Sequence, residues 1–317
     1  MGAVEKIKKH EINKHDNKVY SHVDQIPTGK ASEKITGGCL VLEGGAFRGM
    51  YSQGYLDALM LNDINFECVI GVSAGALAGM NYVSGQIGRS ARVNLTYRHD
   101  SHYVGMKALA HSHSILDVSF LTEDRGLFEP LDEERFYRKE QRYVAVATDC
   151  QTGKPLYVEK GKVAKEVLLK GIQASASMPY ISPMVDVDGI PCLDGGCSCK
   201  IPYEWALKEG YEKIVVVRTR NVLYRKPQKK SKTAKRFYKN EPAFAEALMK
   251  SNIDYNRQCD EIEQLHKEGR LYRVAASNPI TVGRVEKDME KLGELYWLGY
   301  RDCFEKLETL KKYLDIV

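Results

Sequence analysis

The sequence has no uninterrupted apolar run of the length that a membrane span requires, so we expect no transmembrane segment. Its first 30 residues are polar and rich in Lys, His, Asn and Asp, without the apolar core of a signal peptide. We therefore expect a cytoplasmic protein. Over 317 residues, an apolar share of 43% and a charged share of 28% favour a globular fold over a disordered or fibrous chain.

Metal-binding and disulfide patterns are also missing. Eight cysteines are scattered through the chain, and none belongs to a C-x-x-C pair. Cys192, Cys197 and Cys199 cluster, but no nearby histidine completes a zinc set. We therefore expect buried thiols, no metal and no cofactor.

A Gly-rich loop is present, but it lacks the residues of a nucleotide-binding loop. Residues 43–49, Glu-Gly-Gly-Ala-Phe-Arg-Gly, follow a short apolar strand expected at 37–42. A Walker A loop would end in Gly-Lys-Ser/Thr, whereas Met and Tyr follow Gly49. The dinucleotide pattern fails because Ala46 stands where its second glycine would be. The remaining interpretation is a cradle of backbone N–H groups for an anion, with Arg48 beside it.

The pentapeptide Gly-Val-Ser-Ala-Gly that ends at Gly75 matches the nucleophile elbow, in which a serine lies on a tight turn between a strand and a helix. Its context fits, because an apolar strand is expected at 67–72 and a helix of small residues at 74–83. Gly71 and Gly75 relieve crowding at such a turn, and the helix dipole favours negative charge there. Ser73 is therefore the candidate nucleophile of an acyl hydrolase.

A serine hydroxyl needs a base. In the conventional order Ser, Asp/Glu, His, the base comes late in the chain, and His266 is the only histidine beyond residue 113. It lies in a sequence typical of an exposed helical face. Four other histidines fall in an irregular insertion expected at 94–142, near the site entrance: His99, His102, His111 and His113. Asp194 is the better candidate for the base, because two glycines follow it after a short apolar segment, although Asp-Gly is also an ordinary turn sequence.

These elements, in this order, resemble the patatin-like phospholipase family. That family carries an Asp-Gly-Gly-Gly-x-Arg-Gly oxyanion loop, a Gly-x-Ser-x-Gly elbow and an Asp-Gly-Gly or Asp-Gly-Ala element. The segment Gln-Ala-Ser-Ala-Ser-Met-Pro at 173–179 is similar to the one that precedes the family's catalytic Asp. The resemblance covers about residues 37–218. Together with the alternation of strands and helices, it implies a three-layer α/β/α sandwich around a mainly parallel sheet.

The resemblance implies a lipid acyl hydrolase of the phospholipase A or lysophospholipase type, with a Ser–Asp dyad and no histidine. Ser73 would attack the acyl carbonyl and Asp194 would accept its proton. The oxyanion would be held by loop amides with a guanidinium nearby: Gly44, Gly45, Ala46 and Arg48. Two residues depart from the family pattern, since Glu43 replaces its Asp and Ala46 replaces its third Gly. Ala46 adds a methyl group where the loop favours a glycine-only conformation.

The domain organisation follows from the same pattern. We expect a polar N-terminal extension at 1–36 and one patatin-like domain at 37–317, with its core motifs at 37–218. From residue 241 onward the periodicity is helical and heavily charged, which indicates amphipathic helical layers at 241–317.

A basic segment lies between the core motifs and these helices: Arg225, Lys226, Lys229, Lys230, Lys232, Lys235, Arg236 and Lys239. It is a solvated loop in one interpretation. In another it attracts anionic lipid headgroups, with Phe237 and Tyr238 as interfacial anchors, which would make the protein peripheral to a membrane. Nucleic-acid binding is the third, but no recognition motif accompanies the charge, so we expect a lipid partner and no nucleic acid.

Two rival hypotheses remain. A conventional Ser–His–Asp carboxylesterase would require His266 as its base. A lipid-binding scaffold of the same fold with little or no turnover would be favoured by loss of Ser73 or Asp194, and both are present. The sequence carries no signal for an oligomeric state.

Overall fold

The computed structural model describes residues 18–105, 107–108, 110, 116–122, 129–227 and 233–316. The strands are β1 (Gly29–Lys30), β2 (Thr36–Leu42), β3 (Phe66–Val72), β4 (Gln86–Ile87), β5 (Arg142–Asp149), β6 (Pro155–Glu159), β7 (Val185–Val187), β8 (Ile190–Asp194), β9 (Ile214–Val217) and β10 (Tyr272–Val274). The helices are α1 (Met50–Leu61), α2 (Ala74–Val83), α3 (Arg89–Tyr97), α4 (Ser119–Thr122), α5 (Glu133–Phe136), α6 (Lys165–Ser175), α7 (Tyr203–Lys208), α8 (Thr233–Phe237), α9 (Pro242–Lys267) and α10 (Met289–Tyr313).

Eight of the strands form one sheet, and its centre is parallel in the order β10-β9-β2-β3-β5. Alternate residues of β2 face opposite helical layers. Leu40 and Leu42 pack with residues of α1, α2 and α10, whereas Cys39 and Val41 pack with residues of α7 and α9. The molecule is therefore a three-layer α/β/α sandwich around a mixed, mainly parallel sheet, which confirms the predicted fold class.

Strand β5 is where the sheet changes from parallel to antiparallel pairing. One edge of β5 carries β6, so the other edge carries β3 as far as Val146, whose partner is Val72. From Ala147 onward this second edge carries β8 in antiparallel pairing, and Ala147 pairs with Asp194. Because Val146 and Ala147 are consecutive, the end of β8 lies beside the end of β3, immediately before Ser73.

The hairpin of β7 and β8 was not predicted as such from the sequence, whereas the elements around Ser73 were. The strands expected at 37–42 and 67–72 and the helix expected at 74–83 are all present. Asp188 and Gly189 connect β7 to β8, and both have positive φ, as a type I′ hairpin turn requires. An Asp-Gly pair was therefore a usable hairpin signal at this position.

Helices α1 and α10 pack so closely that the backbone of each contacts the backbone of the other. A Cβ atom on Gly54 would lie 1.9 Å from the carbonyl oxygen of Tyr296, and one on Gly299 would lie 1.9 Å from that of Tyr51. The hydroxyls of the two tyrosines donate to carboxylates of the opposite helix, both at 2.9 Å: Tyr51 to Asp302 and Tyr296 to Asp57. The C-terminal helix α10 is therefore closely packed within one helical layer of the sandwich.

The predicted division into an extension and a domain stays a prediction, and residues 1–17 lie outside the described residues. Within residues 18–36, Tyr20 is buried and its amide donates to the carbonyl of Leu95 at 3.0 Å. None of the helices that the structure describes combines the length and the apolar character needed to cross a membrane.

Candidate active site

Ser73 lies between β3 and α2 with φ 55° and ψ −123°. A positive φ is unusual for a residue with a side chain, and such strained turns are typical of functional sites. The turn can close because Gly71 and Gly75, two residues before and after Ser73, have no side chains. A Cβ atom on Gly71 would lie 2.4 Å from the carbonyl oxygen of Gly75, and one on Gly75 would lie 2.5 Å from that of Leu42.

The structure brings Ser73 and Asp194 together. The Ser73 hydroxyl donates to Oδ2 of Asp194 at 2.8 Å, and the amide of Gly196 donates to Oδ1 at 2.7 Å. Burial raises the pKa of the Asp194 carboxyl, and these two hydrogen bonds oppose the rise. The carboxylate is thus oriented as a direct hydrogen-bond acceptor for the serine hydroxyl.

Ser175, at the end of α6, supports the turn at Ser73. Its hydroxyl accepts from the Ser73 amide at 2.8 Å and donates to the carbonyl of Val146 at 2.6 Å. The sequence analysis quoted the segment 173–179 but gave Ser175 no role. The resemblance of that segment was the signal that could have found it.

The loop at residues 44–46 approaches its neighbours closely. A Cβ atom on Gly44 would lie 2.9 Å from the carbonyl oxygen of Val72, and one on Gly45 would lie 2.6 Å from Oγ1 of Thr219. Ala46 has φ 50°, the left-handed region that favours glycine. In the described part of the chain, the backbone amides of these three loop residues donate no hydrogen bond. They are therefore free to bind an anion.

Glu43 anchors the base of this loop. Its carboxylate accepts from the Thr219 amide at 2.8 Å, and the Thr219 hydroxyl donates to the carbonyl of Gly44 at 2.9 Å. The Glu that stands here in place of the family's Asp therefore holds the loop to Thr219. Arg48 lies nearby, and burial together with the neighbouring Arg220 and Arg284 lowers its pKa to about 10.

Ser73 lines two cavities that differ in size and in the number of charged side chains. The wider cavity, about 490 Å³, is lined by the loop, Asp194 and four basic side chains: Arg48, Lys200, Lys226 and Arg284. The narrower cavity, about 80 Å³, is mainly apolar, and its lining includes Phe47, Met50, Leu77, Val93, Leu116 and Leu121. The predicted insertion at 94–142 contributes to the lining of this narrower cavity through Tyr103, Val104, Leu116 and Leu121.

No histidine of the described residues lines either cavity. The Nδ1 atom of His266 lies 3.3 Å from the carbonyl oxygen of Leu271 and 3.3 Å from the amide of Arg273. This ring therefore packs against the backbone at β10 and is not brought to Ser73. His99 contacts the Lys287 carbonyl and His102 contacts Asp100, whereas His111 and His113 lie outside the described residues.

The described residues of the predicted basic segment do not form one surface. Arg225 pairs with Asp260 at 2.6 Å, and Lys226 lines the wider cavity, so neither belongs to an exposed patch. Lys235, Arg236 and Lys239 are exposed. Lys229, Lys230 and Lys232 lie outside the described residues.

Of the two predicted interfacial anchors, only Phe237 is exposed, at 59%. Tyr238 is buried, and its hydroxyl accepts from the amide of Tyr180 at 2.7 Å, so the prediction for Tyr238 is wrong. This tyrosine ties α8 to the rim of the wider cavity instead.

The fold and the site define a class, α/β proteins with a serine elbow that faces a buried carboxylate. A family model described as patatin-like phospholipase matches residues 40–207, and the chain belongs to this family. A second model, described as a domain of unknown function (DUF6363), matches residues 241–315.

Two further comparisons describe what the chain is similar to. It is 29% identical over 185 residues to the uncharacterized protein YjjU of Escherichia coli (strain K12), a match that covers 57% of this chain and 51% of that protein. The match thus spans about half the length of that relative. The crystal structure of VipD from Legionella pneumophila aligns with a TM-score of 0.43 and 13% identity, covering 95% of this chain and 73% of that chain.

Proposed function

We propose that the protein is a serine acyl hydrolase that cleaves fatty-acyl esters of lipids, in the manner of a phospholipase A or lysophospholipase. The observation that carries the proposal is the 2.8 Å hydrogen bond from the Ser73 hydroxyl to Oδ2 of Asp194. Membership of the patatin-like phospholipase family supports a lipid hydrolase as the general class.

In the proposed acylation step, the Ser73 oxygen attacks the acyl carbonyl carbon while its proton passes to Asp194. The carbonyl oxygen becomes an oxyanion, which the amides of Gly44, Gly45 and Ala46 would stabilise. When the tetrahedral intermediate collapses, the bond to the leaving alcohol breaks and the alcohol takes the proton from Asp194. The product of this step is an ester between the fatty acid and Ser73.

Deacylation reverses these roles. A water molecule attacks the acyl-enzyme and passes a proton to Asp194. The second tetrahedral intermediate then collapses, releases the fatty acid and returns the proton to the Ser73 oxygen. No other reactant is consumed, and the free dyad is restored.

The two cavities support an amphiphilic substrate. The narrower cavity has the mainly apolar lining that suits the start of an acyl chain, and the wider one has the charged side chains that suit a polar headgroup. Ser73 lines both cavities, which supports an ester bond bound at this residue. At the rim of the wider cavity, Tyr180 and Ile181 are 41% and 47% exposed, and the Tyr180 ring contacts that of Phe237 at 5.2 Å. With the exposed Lys235, Arg236 and Lys239 beside them, these side chains support peripheral binding to an anionic membrane.

Active-site labelling and two substitutions test the dyad. The wild-type protein is expected to react with a fluorophosphonate probe and to hydrolyse a lysophospholipid. Ser73→Ala should abolish both, and Asp194→Asn should lower kcat about 10²- to 10⁴-fold, the usual contribution of a general base. His266→Ala should keep full activity. Loss of activity in His266→Ala with retention in Asp194→Asn would identify a His-based triad instead.

A further inference from the structure

We propose that Lys200, Lys226 and Arg284 form a subsite that binds the phosphate group of a lipid headgroup. The inference rests on the proposed function, because it assigns a substrate class to the same site. All three side chains line the cavity that contains Ser73 and Asp194. A phosphate held there would leave an ester of the same molecule within reach of the serine.

The three cations come from separate parts of the chain. Lys200 follows the turn after β8, and its ammonium donates to the carbonyl of Gly196. Lys226 lies between β9 and α8, with its ammonium 4.3 Å from the centre of the Tyr255 ring. Arg284 precedes α10, and its carbonyl accepts from the amide of Phe47 at 3.4 Å.

These cations have no counterion of their own. Within the described ranges, none of the three side chains forms an ion pair within 4.0 Å. Many other basic residues of the chain, Lys18 among them, do contact partners. The carboxylates that line the cavity are Glu43 and Asp194, and both already accept backbone amides. Lys200 and Lys226 are half-buried, whereas Arg284 is exposed. The positive charge of the two lysines is therefore unfavourable until an anion binds.

Burial and, after it, repulsion between the neighbouring basic groups shift the acid–base equilibrium of Lys226. Burial lowers its pKa to about 6, and the nearby Lys200, Arg284 and Arg48 contribute to the decrease, while Glu43 opposes it. Lys226 is therefore mostly uncharged at neutral pH in the free protein, and a bound anion would favour its charged form. Lys200 is shifted in the same direction, by burial first and by Arg284 among its neighbours. A phosphate ester supplies both the negative charge and the several acceptor oxygens that such a group of donors would bind.

The C-terminal region contributes part of this cavity. Five of its residues line the cavity together with the oxyanion loop and the Asp194 turn: Leu248, Met249, Ser251, Asn252 and Arg284. They all fall within residues 241–315, the span matched by the model described as a domain of unknown function. We infer that this region completes the headgroup subsite.

A matched pair of substrates tests the subsite. Lysophosphatidic acid and a monoacylglycerol with the same acyl chain differ by the phosphate alone. Lys226→Met and Arg284→Met should each lower kcat/KM for lysophosphatidic acid about 10-fold or more, the usual range for a charged hydrogen bond. Each should lower kcat/KM for the monoacylglycerol much less, so that the preference for lysophosphatidic acid falls in both variants. Lys208→Met, at an exposed position outside both cavities, is the charge control and should change neither substrate.

Equal losses on both substrates, or no loss on either, would overturn the subsite. Binding of inorganic phosphate, measured by calorimetry, distinguishes a lipid-headgroup site from a site for free phosphate. The phosphate should bind weakly to the Ser73→Ala protein and not at all to the Lys226→Met protein. If phosphate binds but the wild-type enzyme does not prefer lysophosphatidic acid, the site is one for free phosphate. If neither lipid is hydrolysed while phosphate binding still requires Lys226, the proposed hydrolase fails and the anion site stands.

Discussion

The hydroxyl of Ser175 accepts a hydrogen bond from the backbone amide of Ser73 at 2.8 Å. The same hydroxyl donates to the Val146 carbonyl, so one side chain of α6 bridges the strained elbow and β5. The elbow is thus held from outside its own strand and helix.

Ser175→Ala should therefore affect both stability and turnover. It leaves the Ser73 amide and the Val146 carbonyl without this partner, which costs about 1–3 kcal/mol for each buried group left unpaired. We expect a lower free energy of unfolding in urea and a lower kcat at similar KM. Ser177→Ala is the control, because its hydroxyl makes a single bond to the Gln173 carbonyl. Unchanged stability and kcat in Ser175→Ala would show that the elbow needs no such support.

The acid limb of the pH–rate profile should report Asp194. Burial raises the pKa of this carboxyl, and only its ionised form can accept the Ser73 proton. Activity on a neutral ester should thus be full above the raised pKa. It should fall as the pH drops through that pKa, at a higher pH than an ordinary aspartate would give. The residual activity of Asp194→Asn should lack this limb, and a persistent limb would assign it to another group.

Ala46 holds a conformation that favours glycine, with φ 50°. Ala46→Gly should raise the free energy of unfolding by up to about 1 kcal/mol and keep or increase kcat, because the left-handed region costs an alanine about 1–2 kcal/mol. Ala46→Val should lower both, since a β-branched side chain fits this region worse. Thermal unfolding and hydrolysis of a neutral ester measure the two effects. A stabilised Ala46→Val protein would contradict the assignment.

The contact between α1 and α10 should not accept a methyl group. In Gly54→Ala the new Cβ would meet the Tyr296 carbonyl, so the helices must separate. We expect the free energy of unfolding to fall by about 2 kcal/mol or more, in the range of an overpacked core. Gly37→Ala has open space around its Cβ and should change stability by less than about 0.5 kcal/mol. Similar unfolding midpoints for the two variants would refute the close packing.

Membrane binding should depend on Phe237. Its exposed ring lies against Tyr180 at the rim of the wider cavity, beside exposed basic residues. Phe237→Ser should weaken sedimentation with vesicles of phosphatidylglycerol, and Phe304→Ser, on α10 and outside both cavities, should not. Equal binding by the two variants would remove this rim as the docking surface.

The sequence predicted the parts of the site that depend on neighbouring residues. The elbow at Ser73 follows from a short pattern between a strand and a helix, and the loop at Ala46 from its glycines. The position of Asp194 beside Ser73 depends on a distant part of the chain, because β8 reaches the serine only through antiparallel pairing with β5. Sequence periodicity does not report that pairing.

Charge patterns in the sequence were less informative, because they do not show which counterions the fold supplies. One interpretation placed Arg225 in a lipid-binding surface patch, but Arg225 pairs with Asp260 of α9. Lys226 turns into the cavity, and Arg284 joins it there from a loop much later in the chain. Tertiary contacts, which a run of lysines does not encode, determine where each of these side chains lies.

The position of β9 shows that the family-matched span does not contain the whole sheet. That span ends at residue 207, whereas β9 begins at Ile214 and pairs with β2 in the interior of the sheet. A protein shortened to the matched residues would leave β2 with a long row of unsatisfied backbone groups. Such a strand recruits other chains, so the shortened protein should self-associate through the strand that leads into the Glu43 loop.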